Sequence, residues 1–399
     1  MWSADWPFQQ PRFDINPSSD ICIILKTGFG TRERVPAWLE ALPRRLSGAD
    51  IVLIGDFHAK RPFNTNERDL PLVNIVSWML ERRYVPEDLT STRLEQYSEL
   101  TTAIANGDEG RASELSKSFG WELDAMKFIP GLELAYSMCP DKKWYVLVDD
   151  DTYLIEPSFS LILRNYDPAR PYYIGNAVGD YKRRFAHGGS SIILSQAAMR
   201  QLYILNPRIV RTAYLESLEE TWGDRLLAAA LARAGVYLDE RSSRLFNGEP
   251  PEKTKLRSDR LCLPIATFHK FDSGAMRDVG ATFRDVTAPV RWVDLWDMYR
   301  GASGTKILEL PLGYSAEGWD YVGRLDEHTR TFKSVSSPND CRRLCRRARD
   351  QSCLAWTWER ESKDCHTAPW VVIGDKAPGR TSGIAGERIR KLASGCLRL

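Results

Sequence analysis

Residues 142–158 read KKWYVLVDDDTYLIEPS. An apolar run, Trp144 to Val148, leads directly into Asp149, Asp150 and Asp151. Unbroken apolar runs of this length are typical of strands covered on both faces of a parallel sheet. In open α/β sheets, ligands bind beyond the carboxyl ends of such strands. Adjacent carboxylates there repel one another, so a cation should compensate them. A hard divalent cation takes oxygen ligands, and Mg²⁺ or Mn²⁺ is usually held by one or two carboxylates plus substrate phosphates. The stretch therefore predicts either a metal–diphosphate site or a solvated turn in which Asp151 starts a helix. An EF-hand loop is excluded, because its obligatory glycine would fall on Leu154. A phosphatase motif of the DxDx(T/V) type is disfavoured, since its fifth position is Tyr153 and Thr152 comes one place early.

The flanking sequence supplies the rest of a parallel sheet. Ile21 to Lys26 and Asp50 to Gly55 are short buried strands, with a helix expected over Val35 to Leu46. Strand, helix, strand at this spacing is a βαβ unit. Helical periodicity covers Leu70–Glu81 and Ser91–Ala105, with a turn at Asn106–Glu109. Gly120–Ser137 is amphipathic, with Trp121, Met126, Phe128, Leu132 and Ala135 expected inward. Tyr172–Ile174 and Ser191–Leu194 are further strands, and Thr221–Gly235 is a helix with Gly235 as its C-cap. The alternation predicts one α/β domain over residues 20–305, after a proline-bearing arm at 1–19. A glycine-rich stretch, 301–318, is the expected boundary to a tail in which cysteine and arginine rise.

The chain has 399 residues, 43% hydrophobic and 27% charged, which fits a globular protein with a sizeable core. A formal net charge of +2 argues against a nucleic-acid binder. No run of about 18 apolar residues is present, nor an apolar core of signal-peptide length near the N-terminus. Of eight cysteines, Cys341, Cys345, Cys353, Cys365 and Cys396 crowd the tail. No CxxC pair occurs there, which favours disulfides, and hence an oxidising compartment, over zinc or reduced core thiols.

WYVLVDDDTYL, YYIGNAVG (172–179), FAHGGSSIILS (185–195), ETWGDRLLAAALARAGV (220–236) and ATFHKF (266–271) occur in the order found in the Fringe-like β-1,3-glycosyltransferases, glycosyltransferase family 31, and the chain resembles that family over about residues 20–300. GWELDAMKFIPGLELAYS and the opening LKTGFGTRERV resemble its fungal branch. The resemblance implies a GT-A fold, a divalent metal (Mn²⁺ or Mg²⁺) and a UDP-sugar donor. It assigns Asp151 and His269 to the metal, Asp149 and Asp150 to the donor's ribose and sugar, and Asp224, at the opening of a helix, to the general base. For His269 the alternative is a structural histidine, and for Asp224 a plain helix N-cap. Gly188 and Gly189, after His187, match a glycine turn that lets backbone approach the donor. A third glycine often found in the family is replaced here, Ser190 and Ser191 following the pair. Thr27, Gly28, Arg32, Arg34 and Asp56 follow the first two strands and are candidates for the uracil and diphosphate; a solvated loop is the alternative for the arginines. Trp222 is a candidate acceptor-stacking residue, with core packing as its alternative. Lys127 is expected to be a surface or packing lysine.

SSPNDCRRLCRRARDQSCLAWTWERESKDCHTAPW, with SGIAGERI later, resembles a PAN/Apple domain over about residues 312–396. The resemblance implies a small disulfide-rich α+β domain with pairs Cys345–Cys353 and Cys341–Cys365, and leaves Cys396 to pair with a cysteine such as Cys262. Such domains bind proteins or carbohydrates. The arginines of CRRLCRRAR are candidates for an anionic glycan, or form a solvated basic face.

The expected function is an inverting, metal-dependent transfer of a hexose or N-acetylhexosamine from a UDP-sugar to a glycan or glycoprotein hydroxyl, with a β-1,3 linkage. The alternative is a non-catalytic glycan- or protein-binding protein on a decayed transferase fold. Asp151, His269 and Asp224 together disfavour that alternative. The expected location is the Golgi or secretory-pathway lumen, as a type II membrane protein whose anchor lies outside this chain, or as a secreted protein.

Overall fold

The structure, a computed structural model, describes residues 12–64, 69–180, 183–300, 305–348, 352–394 and 396. Residues 1–11 of the expected arm and 301–304 of the expected boundary lie outside the described residues. The chain folds into two compact units. One comprises Gln10–Gly248 with Ala266–Thr287, and the other takes in Glu249–Ile265 and the described residues from Ala288 onward.

The first unit is built on a mixed sheet of Ile21–Lys26 (β1), Asp50–Gly55 (β2), Leu72–Asn74 (β3), Trp144–Asp149 (β4), Tyr173–Gly175 (β6), Ile192–Ser195 (β7) and Leu238–Asp239 (β8). Its order is β8-β6-β7-β4-β1-β2-β3, and only β7 runs antiparallel to its neighbours. This mixed α/β arrangement is compatible with a GT-A-like fold. Every residue of β1 is buried, as is all of β4 except Asp149. Thr152–Leu154 (β5) follows β4 at once and pairs with Thr267–His269 (β9), which sets His269 opposite Thr152. Helices Arg34–Ala41 (α1), Ile75–Glu81 (α2), Thr92–Ala105 (α3), Glu109–Asp124 (α4), Phe128–Met138 (α5) and Gly223–Arg233 (α6) belong to the same unit.

Several elements differ from the sequence expectation, each for a local reason. The helix expected over Leu70–Glu81 begins only at Ile75; Pro71 breaks the pattern, Leu72–Asn74 extends the sheet, and the Asn74 side chain caps the helix by accepting the Ser77 N–H. The helix expected over Val35–Leu46 ends at Ala41, two residues before Pro43. The amphipathic stretch Gly120–Ser137 is two helices joined by a 3₁₀ turn at Ala125–Lys127. Pro130 accounts for the break: lacking an N–H, it fits only in the first turn of a helix, so α5 must start afresh at Phe128. The break turns Trp121 outward, and it is 61% exposed while Met126, Phe128, Leu132 and Ala135 are buried. Helix α6 is two residues shorter at each end than expected, and Gly235 takes φ +80° just past it.

In the second unit, Ser315–Asp320 (β10), Arg330–Phe332 (β11), Ala355–Glu359 (β12), Cys365–Ala368 (β13) and Asp375–Ile384 (β14) form an antiparallel sheet in the order β10-β14-β12-β13-β11. Helix Pro338–Arg347 (α7) packs on it and carries Cys341, bonded to Cys365, and Cys345, bonded to Cys353. Trp356, Trp358 and Val335 fill the small core around these bridges. Cys396 is bonded to Cys262 across a separation of 134 residues. A cross-link over so long a loop restricts the unfolded chain strongly. Replacing Cys262 and Cys396 together by alanine should therefore lower the unfolding free energy by about 4 kcal/mol. Urea titration at equal protein concentration measures it, and a loss below about 1 kcal/mol would show that the bridge adds little constraint.

Candidate active site

The carboxyl ends of β1 and β4 lie side by side, and their parallel register pairs Lys26 with Asp149. Lys26, 5% exposed, reaches Asp149 at 2.8 Å and Asp124 at 2.6 Å. Burial works against its charge, but Asp124 and Asp149 outweigh burial and hold the ammonium more firmly protonated than usual. The same pairing acts on the acid: burial raises the Asp149 pKa, and Lys26 and His269 together bring it below the ordinary carboxylate range. Lys26 escapes the sequence reading because a charge at the end of an apolar run resembles a flanking residue; only the β1–β4 register reveals its partner.

The next two acids are compensated differently. Asp150 is buried and accepts a hydrogen bond from the Thr27 hydroxyl at 2.6 Å, while Arg34 lies 3.3 Å away. Burial dominates here and pushes Asp150 up to about 6. Asp151 meets Arg34 at 3.1 Å and His269 Nε2 at 2.9 Å. Asp151 does not start a helix: it lies in a turn between β4 and β5, and the next helix begins at Glu156. For His269, burial would lower the pKa, but the hydrogen bond with Asp151 and the charges of Asp151 and Asp149 raise it above its ordinary value.

Ligand atoms of Asp149, Asp151 and His269 all lie within 4.8 Å of one another. Two carboxylates suit a hard divalent ion, and Mn²⁺ also accepts a neutral imidazole, so this donor set fits the metal that the sequence implies. Among the described residues His269 Nδ1 is buried without a hydrogen-bond partner, so the ring is fixed by the Asp151 bond at Nε2 and by packing. Gly189 supplies that packing, since a Cβ there would come within 2.2 Å of the imidazole. Gly189 is held in turn by its carbonyl, which accepts the Thr152 hydroxyl at 2.9 Å.

Asp224 stands across the glycine turn. Trp222, not Asp224, is the N-cap of α6, and the Trp222 side chain makes no capping hydrogen bond. The Asp224 carboxylate is divided, one oxygen serving the first turn of α6 and the other the glycine turn. It accepts the Gly188 N–H at 3.0 Å and the Arg225 N–H at 2.8 Å, and burial pushes its pKa above the ordinary carboxylate value. Gly223 lets α6 approach this closely, because a Cβ there would collide with the Phe128 ring at 2.2 Å. Asp224 and His269 line one cleft of about 590 Å³ together with Asp149, Gly188, Gly189 and Trp222. Trp222 is 46% exposed, which removes the core-packing alternative. Ser191, where the third glycine would stand, is fully buried at φ +72°, a region glycine adopts freely and other residues rarely.

The remaining candidates lie at the first βα turn. Gly28 donates its N–H to the Thr31 hydroxyl at 3.2 Å. Arg32 packs over Phe29 and pairs with Glu109 rather than with the aspartates. Asp56 is fully buried, accepting the Phe29 N–H at 2.9 Å and meeting Lys127 at 2.7 Å, so it braces the turn from beneath. Lys127 is no surface residue: it is 2% exposed and also donates to the Thr27 carbonyl at 2.8 Å.

Residues 124–224 match the family model described as Fringe-like. The match points to a glycosyltransferase. The Fringe-like segment contains Asp149–Asp151, the Gly188–Gly189 turn and Asp224, whereas Lys26, Arg34 and His269 lie outside it; Lys26 and His269 reach the same end of the sheet through strand pairing and Arg34 from the first turn of α1.

Lys26 should be a keystone of this cluster. Removing one partner from a buried ion pair leaves an uncompensated charge, at a cost of roughly 3–5 kcal/mol. Lys26→Met should destabilise the protein by about 3 kcal/mol, and adding Asp149→Asn should recover about 1 kcal/mol or more. Denaturant titration of the four members of this cycle gives the coupling, and simple additivity would contradict the pairing.

Proposed function

We propose that the chain is an inverting, metal-dependent glycosyltransferase that moves a hexose or N-acetylhexosamine from a UDP-sugar to a glycan or glycoprotein hydroxyl, with β-1,3 linkage. The observation that carries the reading is the convergence of Asp149, Asp151 and His269 at the carboxyl end of β4, with Asp224 in the same cleft. Asp149, Asp151 and His269 would hold Mn²⁺ or Mg²⁺. The bound ion would supply positive charge beside the departing diphosphate. Asp150, Thr27, Gly28 and Arg34 surround the donor side of that position, and Gly188 and Gly189 allow backbone to approach the donor sugar.

On the acceptor side, Asp224 takes the proton of the incoming hydroxyl. The new bond forms from that oxygen to the anomeric carbon as the bond from this carbon to the phosphate oxygen breaks, and UDP leaves with the electron pair. One displacement on the face opposite the leaving group converts an α-linked donor into a β-linked product. The Gly188 N–H orients the Asp224 carboxylate for this role. The second unit would be a PAN/Apple-like module that recruits the acceptor; its antiparallel sheet, with one helix bridged by a disulfide to β13 and by another to the segment before β12, supports that reading. Its disulfides favour an oxidising compartment, in line with action in the secretory-pathway lumen, at the Golgi. Among the described residues, no helix is long and apolar enough to cross a membrane.

Two measurements test the reading. Calorimetric titration of UDP should show tight binding that needs both Mn²⁺ and Asp151, so Asp151→Ala should abolish it. Asp224→Asn should keep that binding yet lower transfer by roughly 10²–10⁴-fold, the usual contribution of a general base. Absence of Mn²⁺-dependent UDP binding would remove the transferase reading, and near wild-type transfer by Asp224→Asn would remove the base assignment.

The pH dependence follows from burial. A base must be ionised, and a raised pKa keeps Asp224 protonated to higher pH than a surface carboxylate. At saturating metal and donor, the acid limb of kcat/KM for the acceptor should therefore fall above about pH 4, the ordinary aspartate value, with activity rising as pH rises through it. A limb at or below that value would exclude Asp224 as the titrating base.

A further inference from the structure

Trp121 has no role in the chemistry above, yet its position is unusual for so large an apolar side chain. It sits in the last turn of α4 at 61% exposure and lines the same cleft as Trp222, Asp224 and His269. Among the described residues it makes no ring stack and no cation contact. Large exposed aromatic surface at a cleft is a mark of a binding site rather than of folding. Its placement is fixed: the close approach of Gly223 to Ala125 and Phe128 locks the start of α6 against the turn that follows α4. Trp222 therefore stands one residue before that junction on one chain segment, and Trp121 stands one helical turn before it on the other. Asp124, three residues after Trp121, also opens on the cleft. Phe128 and Phe185 complete an aromatic lining, with the Phe185 ring 6.2 Å from that of Trp222.

Aromatic faces with a carboxylate among them match the chemistry of a pyranose. The apolar C–H face of a sugar ring stacks on an indole, while its hydroxyls donate to a carboxylate. A saccharide presents such a face, ringed by hydroxyls, at each pyranose unit. Resting on the transferase reading, we infer that the acceptor is a saccharide of at least two sugar units. Its reacting unit lies by Trp222 and Asp224, and a further unit stacks on Trp121. Trp121 is thus a specificity-determining residue for the acceptor and touches neither metal nor donor.

The test uses the full chain with Mn²⁺ and UDP. A glycan array and an array of unmodified serine- and threonine-bearing peptides are probed with the wild type, Trp121→Ala, Trp121→Phe and Trp222→Ala. Glycan binding by the wild type should be strongest for structures of two or more units and fall about tenfold in Trp121→Ala, a loss the size of a good aromatic stack, while Trp121→Phe keeps most of it. Mn²⁺-dependent UDP affinity, measured on the same proteins, should not change in Trp121→Ala, which also shows that this variant is folded. Wild-type binding to peptides but not glycans would overturn the inference, as would Trp121→Ala binding glycans within twofold of wild type or no glycan bound above the Trp222→Ala level. Loss of Mn²⁺-dependent UDP binding in the wild type would instead sink the transferase reading itself.

Discussion

Charge balance at the end of β4 is the constraint around which the first unit is arranged. Three consecutive carboxylates emerge there into a partly buried space, and each needs its own counterpart. Lys26 arrives from the neighbouring strand by register, Arg34 from the first turn of α1, and His269 from the β5–β9 ribbon. The arrangement keeps Asp149 ionised while Asp150, whose nearest partner is a hydroxyl, is pushed upward by burial. One triplet thus contains carboxylates with different protonation behaviour, set by surroundings rather than residue type. Asp149 and Asp151, with His269, keep their ligand atoms within 4.8 Å of one another at this end of the sheet.

How much of this is legible from the letters depends on whether the signal is local. The buried strands, the aspartate triplet and the glycine turn are consecutive residues with strong patterns, and they lie at one end of the sheet. Residues whose role depends on register or on a break in periodicity are misread. Lys26 carries no local signal at all. The buried Lys127–Asp56 pair is likewise illegible, because burial beneath a turn leaves no mark in sequence. Trp121 falls inward when one helical period is extended through Gly120–Ser137. The restart that Pro130 demands rotates that face away, so an apparent core position becomes an exposed one. Asp224 resembles a helix cap, and only the structure shows that one of its oxygens serves the helix, accepting the Arg225 N–H, while the other meets the Gly188 N–H.

The site also carries costs that packing alone would not retain. Gly189 and Gly223 give up side chains so that an imidazole and a phenyl ring can approach backbone. Ser191 holds φ +72°, a conformation that costs on the order of 1–3 kcal/mol in a non-glycine residue, and its buried hydroxyl has no hydrogen-bond partner among the described residues. Such strain persists only where the surroundings over-determine it. Here they do: the Gly188 carbonyl accepts the Ser191 N–H at 3.0 Å, and β7 continues at once between β4 and β6. The strained residue is therefore the hinge pin between a sheet that cannot shift and a glycine turn that must stay against His269 and Asp224. The stability of the sheet core is what keeps the two halves of the cleft at a fixed separation.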